Sequence, residues 1–349
     1  TNLLRSCDRL DSSDDKGIVR RKQSINNTVI RSPFGYTKEK IELSCLEVQF
    51  DKMVKKLTGH LQDYAQDKIS ISKLREEIIN EIQTPFLQTL GETRVPANDV
   101  TLWAHSYSTA SLYKTILCSL VLGENPEPED LKWRIFGVSW NGLEFVEKGS
   151  KPADILSRTK IIKQIQSEIR EELEIKYPIG NVVYEDINGI FFTFPYIEKN
   201  KLFTQVELAN EYIESILSKV LEISSLELWP FFTLSRPSRS LTIIGEELRF
   251  TAEKRKIPKI KPCIFIEGEK QLLDNNNFYF LPNEKEIKDY QDICPHCRIR
   301  SKERQKERCQ TCYERIEGRL KNWLTSREET IWTSDVGDRN NRIALLTLE

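Results

Sequence analysis

Hydrophobic residues recur at helical spacing over the first part of the chain and at strand spacing after it. Leu74, Ile78 and Ile82 lie four residues apart and define one apolar face of a predicted helix. A second helix is predicted over 102–120, where His105 falls on the same face as the surrounding apolar residues. These patterns predict a helical region that extends to a linker rich in proline and glutamate.

The pattern changes after this linker, where short apolar strands alternate with amphipathic helices. The predicted elements are a strand from Trp133 to Trp140, a helix over 155–176, two strands within 181–194 joined by an Asn188-Gly189 turn, a helix over 208–223 and a strand over 226–234. The order β-α-β-β-α-β is that of a ferredoxin-like palm. Residues 236–290 are basic and contain prolines, and they predict an extended connection with short strands near 263–266 and 278–280.

The whole pattern predicts an α+β protein made of five segments. They are a helical domain over 1–125, a ferredoxin-like palm over 126–250, a basic connection over 251–290, a four-cysteine segment over 291–325 and a final segment over 326–349. The final segment ends in an apolar strand, Arg342–Glu349, which we expect to open a further domain. Because the chain begins at Thr1 without an initiator methionine, we expect both ends to be cut from a longer protein.

Composition narrows the class of protein without naming a partner. The 349 residues are 39% hydrophobic, which is enough for packed cores, and Lys plus Arg total 52 against 53 for Asp plus Glu. Nucleic-acid contacts must therefore come from local basic patches. The longest apolar run, Ile116–Leu122, is far too short to cross a bilayer. Four scattered cysteines, at positions 7, 45, 118 and 263, fit a reducing cytoplasm.

Four further cysteines form two C-x-x-C pairs separated by an eleven-residue loop: Cys294, Cys297, Cys309 and Cys312. Each pair turns two thiolates inward, and together they supply the four sulfurs that Zn²⁺ prefers, with no open position for chemistry. The spacing therefore predicts a structural zinc ion, and paired redox thiols are the alternative. His296 is expected to be a neighbour and not a ligand, because four thiolates already fill the site.

The loop between the two pairs carries six basic residues against two glutamates. It is too polar to fold without a cross-link, so metal binding is expected to supply its folding energy. Two interpretations of its charge stay open. The loop is either a solvated face or a surface that faces RNA or a partner protein.

Several motifs stand in an order that resembles one known family. They are Cys7–Ser12 with Asp15–Gly17 and Phe34–Tyr36, then Asn98–His105, Tyr177–Asn181 and the four-cysteine unit. The chain resembles the large, polymerase-like subunit of type III CRISPR effector complexes, in particular its divergent bacterial and cyanobacterial branch. The resemblance implies an HD-derived helical domain, a first palm, a zinc segment and a second palm whose Gly-Gly-Asp-Asp hairpin converts ATP to cyclic oligoadenylates.

The chain departs from this family at the HD domain. The upstream His-Asp pair that names the domain has no counterpart, so Asp99 and His105 are what remains of the catalytic site. From the residues alone, His105 is by default a hydrogen-bonded core residue and Asp99 a helix N-cap, and the alternative is a remnant metal or phosphate site. With only three histidines in the chain, a dinuclear metal site cannot be assembled, which disfavours an intact HD phosphohydrolase. We expect no nuclease activity from this chain.

The second departure is the missing Gly-Gly-Asp-Asp hairpin. The first-palm hairpin offers only Glu185 and Asp186, which point to opposite faces of a strand and cannot share one Mg²⁺. ATP and Mg²⁺ are therefore expected only with the missing second palm, which would begin within 326–349. Ser139 and Asn141 are the candidates to touch ATP from the first palm.

Taken together, the resemblance implies a cytoplasmic scaffold and pocket wall within a ribonucleoprotein. Its partners would be guide RNA, target RNA and the other effector subunits, with no membrane. The alternative is a catalytically inert zinc-ribbon scaffold or RNA-binding protein, since fold alone does not establish activity.

Overall fold

The computed structural model describes ten stretches of the chain: 2–14, 29–30, 39–40, 43–91, 97–98, 100–149, 152–198, 213–257, 262–273 and 292–318. The helices are α1 Asn2–Asp14, α2 Leu43–Ala65, α3 Ile71–Leu87, α4 Leu102–Val121, α5 Gly142–Glu147, α6 Pro152–Arg170, α7 213–223, α8 Ile243–Arg255 and α9 Gln310–Tyr313. Helix α6 continues as a π-helix over Glu171–Lys176, and α9 continues as one over Glu314–Gly318.

The strands form two sheets and confirm the predicted α+β class. Their bounds are β1 Val29–Ile30, β2 Glu39–Lys40, β3 Ala97–Asn98, β4 Trp133–Ser139, β5 Val182–Asp186, β6 Gly189–Pro195, β7 Phe231–Leu234, β8 Cys263–Ile266 and β9 Glu269–Leu272. The small sheet has the order β2-β1-β3 and the large one the order β5-β6-β4-β7-β8-β9. Within the large sheet, β7 and β8 are parallel and all other neighbours are antiparallel.

Both faces of the large sheet are covered, so the central strand β4 is buried along its whole length. Phe136 and Val138 point to one face, where they pack against apolar residues of α5, α6 and α7. Ile135 points to the other face and packs against Ile243 of α8. Trp133, at the start of β4, joins Leu112 of α4 in a third cluster. Side chains of this one strand thus contact three groups of helices: α5 to α7 on one face, α8 on the other face, and α4 at the start of the strand.

The hairpin between β5 and β6 turns at Asn188-Gly189, as the sequence predicts. A carboxylate oxygen of Asp186 accepts a hydrogen bond from the backbone N–H of Asn188 at 2.8 Å. Gly189 pairs with Ser139, and a Cβ at this glycine would lie 2.7 Å from the carbonyl oxygen of Val138. Only glycine therefore allows the hairpin to sit this close to β4.

The region after β7 differs from the extended connection that the sequence predicts. Helix α8 spans the expected boundary at residue 250, and Ile243, Ile244 and Leu248 pack against the sheet. Strands β8 and β9 then extend the same sheet. The predicted strand near 263–266 is present, whereas the one near 278–280 and the segment 326–349 lie outside the described residues. The many charged residues of this region obscured the spacing of its few apolar positions.

Strand β7 is also shorter than the predicted strand over 226–234. Ser225 and Leu226 have positive φ values of 54° and 67°, so the chain turns there before it enters the sheet at Phe231. This turn places Glu227 at the end of the sheet, where the four-cysteine segment reaches it.

The π-helical segment Glu171–Lys176 connects helices α3 and α4 to the sheet through hydrogen bonds and an ion pair. A carboxylate oxygen of Glu174 accepts a 2.6 Å hydrogen bond from the backbone N–H of Val182, and the other pairs with Arg75 of α3 at 2.6 Å. The ammonium of Lys114 in α4 donates to the carbonyl oxygens of Glu174 and Gly180 and to the side-chain oxygen of Asn181, at 2.7 to 3.0 Å. Burial lowers the pKa of Lys114 to about 8. Every proton of this ammonium has its own acceptor, so the interface is ordered.

No helix in the described stretches of the chain combines the length and the apolar character that crossing a membrane requires.

Candidate metal centre

The four predicted cysteines come together in one buried cluster. Their sulfur atoms all lie within 4.8 Å of one another, and the sulfurs of Cys297 and Cys309 are 3.8 Å apart. Four sulfurs bound at about 2.3 Å to a central Zn²⁺ lie about 3.8 Å from one another, whereas a disulfide needs about 2.05 Å. The spacing therefore fits a tetrahedral metal site, and the four thiols can hold an ion such as Zn²⁺.

The first pair, Cys294 and Cys297, is held by a tight turn. The N–H of Arg298 donates to the carbonyl of Cys294 at 2.9 Å, and the N–H of Cys294 donates to the carbonyl of Arg300 at 2.8 Å. Arg298 takes a positive φ of 55°, which lets the chain double back on itself. These bonds direct both sulfurs to the same side of the turn.

The second pair sits at the start of α9. Cys309 is the N-cap residue of this helix, and its backbone N–H donates to the sulfur of Cys294 at 3.2 Å. Cys312 lies one turn later on the same helix. A hydrogen bond from Cys312 lowers the pKa of Cys297, and the same bond raises the pKa of Cys312. The lowered pKa favours the thiolate form of Cys297, which is the form that binds metal.

The cysteine unit docks onto the sheet through one buried carboxylate. Glu227, next to the start of β7, accepts from Arg300 at 2.8 Å and from Arg315 at 2.6 Å, and both arginines belong to the cysteine unit. Its other oxygen accepts from Arg158 of α6 at 2.8 Å. Burial raises the pKa of Glu227, but the arginines, Arg315 and Arg158 foremost, outweigh it and hold that pKa below its usual value.

Aromatic stacking and a second carboxylate complete this arginine cluster. The guanidinium of Arg158 lies 4.8 Å from the ring centre of Phe145, and that of Arg315 lies 5.6 Å from it. Asp154 accepts a further bond from Arg158 at 3.1 Å. The cluster therefore joins α5, α6, the approach to β7 and the cysteine unit in one network.

The basic loop is not a uniform charged surface. Arg300 is one of the six basic residues of the loop, yet the structure turns it inward, where it also donates to the carbonyl of Ser225. Arg304 and Lys306 stay exposed and pair with Asp292 and Glu303 of the same unit. The loop thus contacts the end of the sheet through Arg300 and exposes Arg304 and Lys306 on its outer face.

The predicted remnant site is only partly described. Asp99 lies outside the described residues. The Nδ1 of His105 lies 2.5 Å from an oxygen of Asp11, and its Nε2 lies 3.0 Å from an oxygen of Asp8. Ser108 donates to the other oxygen of Asp11. Since both ring nitrogens face carboxylates of α1, neither is turned toward an open metal position.

The two predicted nucleotide-binding residues, Ser139 and Asn141, do not form an open site. Ser139 is fully buried at the end of β4, so its hydroxyl offers no surface to a nucleotide. Asn141 is exposed and donates through its amide to the carboxylate of Glu144. On the neighbouring hairpin, Glu185 pairs with Arg170 at 2.7 Å, and Asp186 caps its own turn. Each carboxylate of this hairpin is therefore engaged within the protein.

Sequence reasoning missed two groups of carboxylates that contact the predicted site residues or dock the cysteine unit. Asp8 and Asp11 lie three residues apart on α1 and so share a helix face, a signal that was available in the sequence. Glu227 gave no such signal, because its three arginine partners are 69, 73 and 88 residues away.

Neither a comparison with protein-family models nor a search of curated proteins gives a match to the chain.

Proposed function

We propose that this chain is the scaffold portion of the large, polymerase-like subunit of a type III CRISPR effector complex, which acts in RNA-guided antiviral defence. The observation that carries the proposal is the sheet order β7-β4-β6-β5, all antiparallel, around two crossover helices. A ferredoxin-like palm would have this strand order, and the four-cysteine unit is tied to the end of the sheet by Glu227.

The carboxylates of the proposed palm support a structural role for this portion of the protein. The catalytic role would belong to the second palm. Nucleotidyl transfer needs carboxylates that converge on Mg²⁺. In the β5–β6 hairpin, Glu185 is held by Arg170 and Asp186 by its own turn. The full protein would bind ATP and Mg²⁺ in a second palm and make cyclic oligoadenylates when target RNA binds. The palm described above would then form one wall of that pocket.

The cysteine unit would hold a structural Zn²⁺ through Cys294, Cys297, Cys309 and Cys312. Bound zinc would supply folding energy to a short polar segment and leave no coordination position for a substrate. It would thereby keep Arg300 and Arg315 in position to dock on Glu227. The outward basic residues of the same loop would face guide RNA or another subunit of the complex in the cytoplasm.

The helical region supports the absence of nuclease activity. His105 is held between Asp8 and Asp11, and the chain has only two other histidines. We expect no cleavage of single-stranded DNA by this chain with Mn²⁺ or Ni²⁺. Cleavage that is abolished by His105→Ala would revive the HD hydrolase alternative.

The decisive experiment measures ATP turnover in two proteins. The 349-residue chain is expected to make no cyclic oligoadenylate. A longer natural chain, assembled with guide RNA and companion subunits, is expected to make it only after target RNA is added. A matched control replaces the paired aspartates of the second palm with asparagine, which should abolish the product without disturbing assembly. A product from the short chain would contradict the proposal.

A second candidate function is a zinc-ribbon scaffold or RNA-binding protein without any catalytic partner domain. It is favoured by the same engaged carboxylates, which leave the described palm without an open metal site. The two candidates differ in one outcome. An assembled longer chain that binds target RNA but makes no nucleotide product would support the inert scaffold.

A further inference from the structure

Helices α2 and α3 form a hairpin that presents three metal-binding side chains to one another. The connecting turn is short: the N–H of Lys68 donates to the carbonyl of Asp63, and Ser70 caps the first turn of α3. His60 projects from α2 toward α3. Glu77 and Glu81 are four residues apart and therefore lie on the same face of α3.

The ligand atoms of these three residues are close enough to share one ion. One nitrogen of His60 and one oxygen of each glutamate all lie within 4.8 Å of one another. The Nε2 of His60 is 3.9 Å from the carboxylate of Glu77, which is too long for a hydrogen bond. Two ligand atoms that are each about 2.1 Å from one ion lie at most about 4.2 Å apart, a range that includes the 3.9 Å gap between His60 and Glu77.

The imidazole nitrogen gives a second, independent indication. The Nε2 of His60 is shielded from solvent and makes no hydrogen bond within the described residues. The His60 side chain as a whole is 26% exposed, but this nitrogen faces Glu77, and a polar atom without solvent contact needs a partner. A metal ion between the helices would supply that partner.

Two nearby lysines pair with the carboxylates, and a metal ion would have to displace Lys56 from Glu81. Lys56 contacts both oxygens of Glu81 at 2.9 Å, and Lys73 contacts the oxygen of Glu77 that faces away from His60. The side chain of Lys56 is 61% exposed, so it can swing into solvent when a cation takes its place. Such exposed ion pairs contribute little, and a divalent ion competes with them easily.

We propose that His60, Glu77 and Glu81 form a second metal site, for a divalent transition ion that accepts mixed nitrogen and oxygen ligands, such as Mn²⁺. One imidazole and two carboxylates suit such an ion, whereas a thiolate site selects softer metals. Water would fill the remaining coordination positions on the exposed side of the helix hairpin.

The test is a Mn²⁺ titration of the zinc-loaded full chain, followed by electron paramagnetic resonance of the free ion. Zinc fills the cysteine site, so loss of the free Mn²⁺ signal reports the proposed site. We expect one bound Mn²⁺ per chain, and we expect His60→Gln and Glu81→Gln each to weaken binding at least about tenfold. Glu76→Gln is the matched control, because Glu76 lies on α3 and pairs with Lys73 outside the cluster.

A variant that is expected to tighten Mn²⁺ binding, and not to weaken it, completes the test. Lys56→Met removes the competing ammonium and is expected to tighten Mn²⁺ binding, while circular dichroism verifies that each variant is folded. The absence of Mn²⁺ binding up to millimolar concentration would overturn the proposal. So would equal binding by the original chain and Glu81→Gln, or a Lys56→Met protein that binds no more tightly.

Discussion

At the scale of single residues, buried charge is concentrated in the cluster around Glu227, where arginines outnumber carboxylates. Around Glu227, three arginines face two carboxylates, the second being Asp154, so the cluster carries one net positive charge. Such a network is stable only while each charge keeps its partner, because an unpaired buried charge is strongly unfavourable.

Glu227→Gln is expected to be among the most destabilising exchanges in the described residues. It leaves Arg158 and Arg315 buried without their main counter-charge, and we expect the free energy of unfolding to fall by about 3–5 kcal/mol. Urea denaturation measures this change. Glu246→Gln, which removes an exposed ion pair with Arg236, should cost less than about 1 kcal/mol. Similar losses in the two variants would refute the role of the cluster.

Lys114 gives a pH dependence whose sign follows from its burial. Its pKa in the folded protein is about 8, below the value of about 10.4 expected after unfolding. Between these values the unfolded chain binds more protons, so the contribution of Lys114 to the free energy of unfolding rises with pH. Lys114→Met should remove this rise between pH 8 and 10, measured by urea denaturation at each pH. The exposed Lys148→Met should retain it.

At the scale of elements, the strongest local signals in the sequence were sufficient to predict the corresponding hairpin and helix. The Asn188-Gly189 turn predicted the β5–β6 hairpin, and the isoleucine spacing predicted the helix from 155 to 176, although not that Glu171–Lys176 is π-helical. Helix α8 was missed because its apolar residues are sparse among charges. The cysteine spacing predicted the metal cluster, but the docking of that cluster depends on contacts between distant residues, which no local pattern contains.

Loss of the metal is expected to weaken the sheet as well as the cysteine unit. In the proposed zinc site, Cys297→Ser should release the ion and free Arg300 and Arg315 from Glu227, because both arginines lie beside the cysteines that would hold it. Hydrogen exchange should then accelerate at the amide of Leu228, which is bonded to Ser224. Cys118→Ser, outside the cluster, should change neither zinc content nor exchange. Unaltered protection at Leu228 in the zinc-free protein would show that docking does not need the metal.

At the scale of the whole molecule, nearly balanced charge means that the proposed RNA binding would have to come from local surfaces. The exposed face of the cysteine loop, with Arg304 and Lys306, is the candidate that the structure leaves on the outside. The sequence could not separate these residues from Arg300, because all three occur in one basic run. Only the fold assigns one to the interior and two to the surface.

Reversing both exposed charges tests this surface. The double variant Arg304→Glu, Lys306→Glu should weaken RNA binding and reduce the slope of log affinity against log salt by about 0.7 per lost phosphate contact. Fluorescence anisotropy over a range of KCl concentrations measures the slope. Lys68→Glu, at the α2–α3 turn, should leave it unchanged. Equal slopes in all three proteins would make the loop an ordinary solvated surface.

The two outer strands of the large sheet have a consequence for self-association. Within the described residues the sheet ends at β5 and β9. Strand β5 is interrupted by a bulge between Val182 and Tyr184, and β9 begins with Glu269 and Lys270. Bulges and charges on outer strands discourage another chain from adding its own strand there. The large sheet is thereby protected against edge-to-edge aggregation, and concentrated solutions of the protein should remain free of cross-β assemblies.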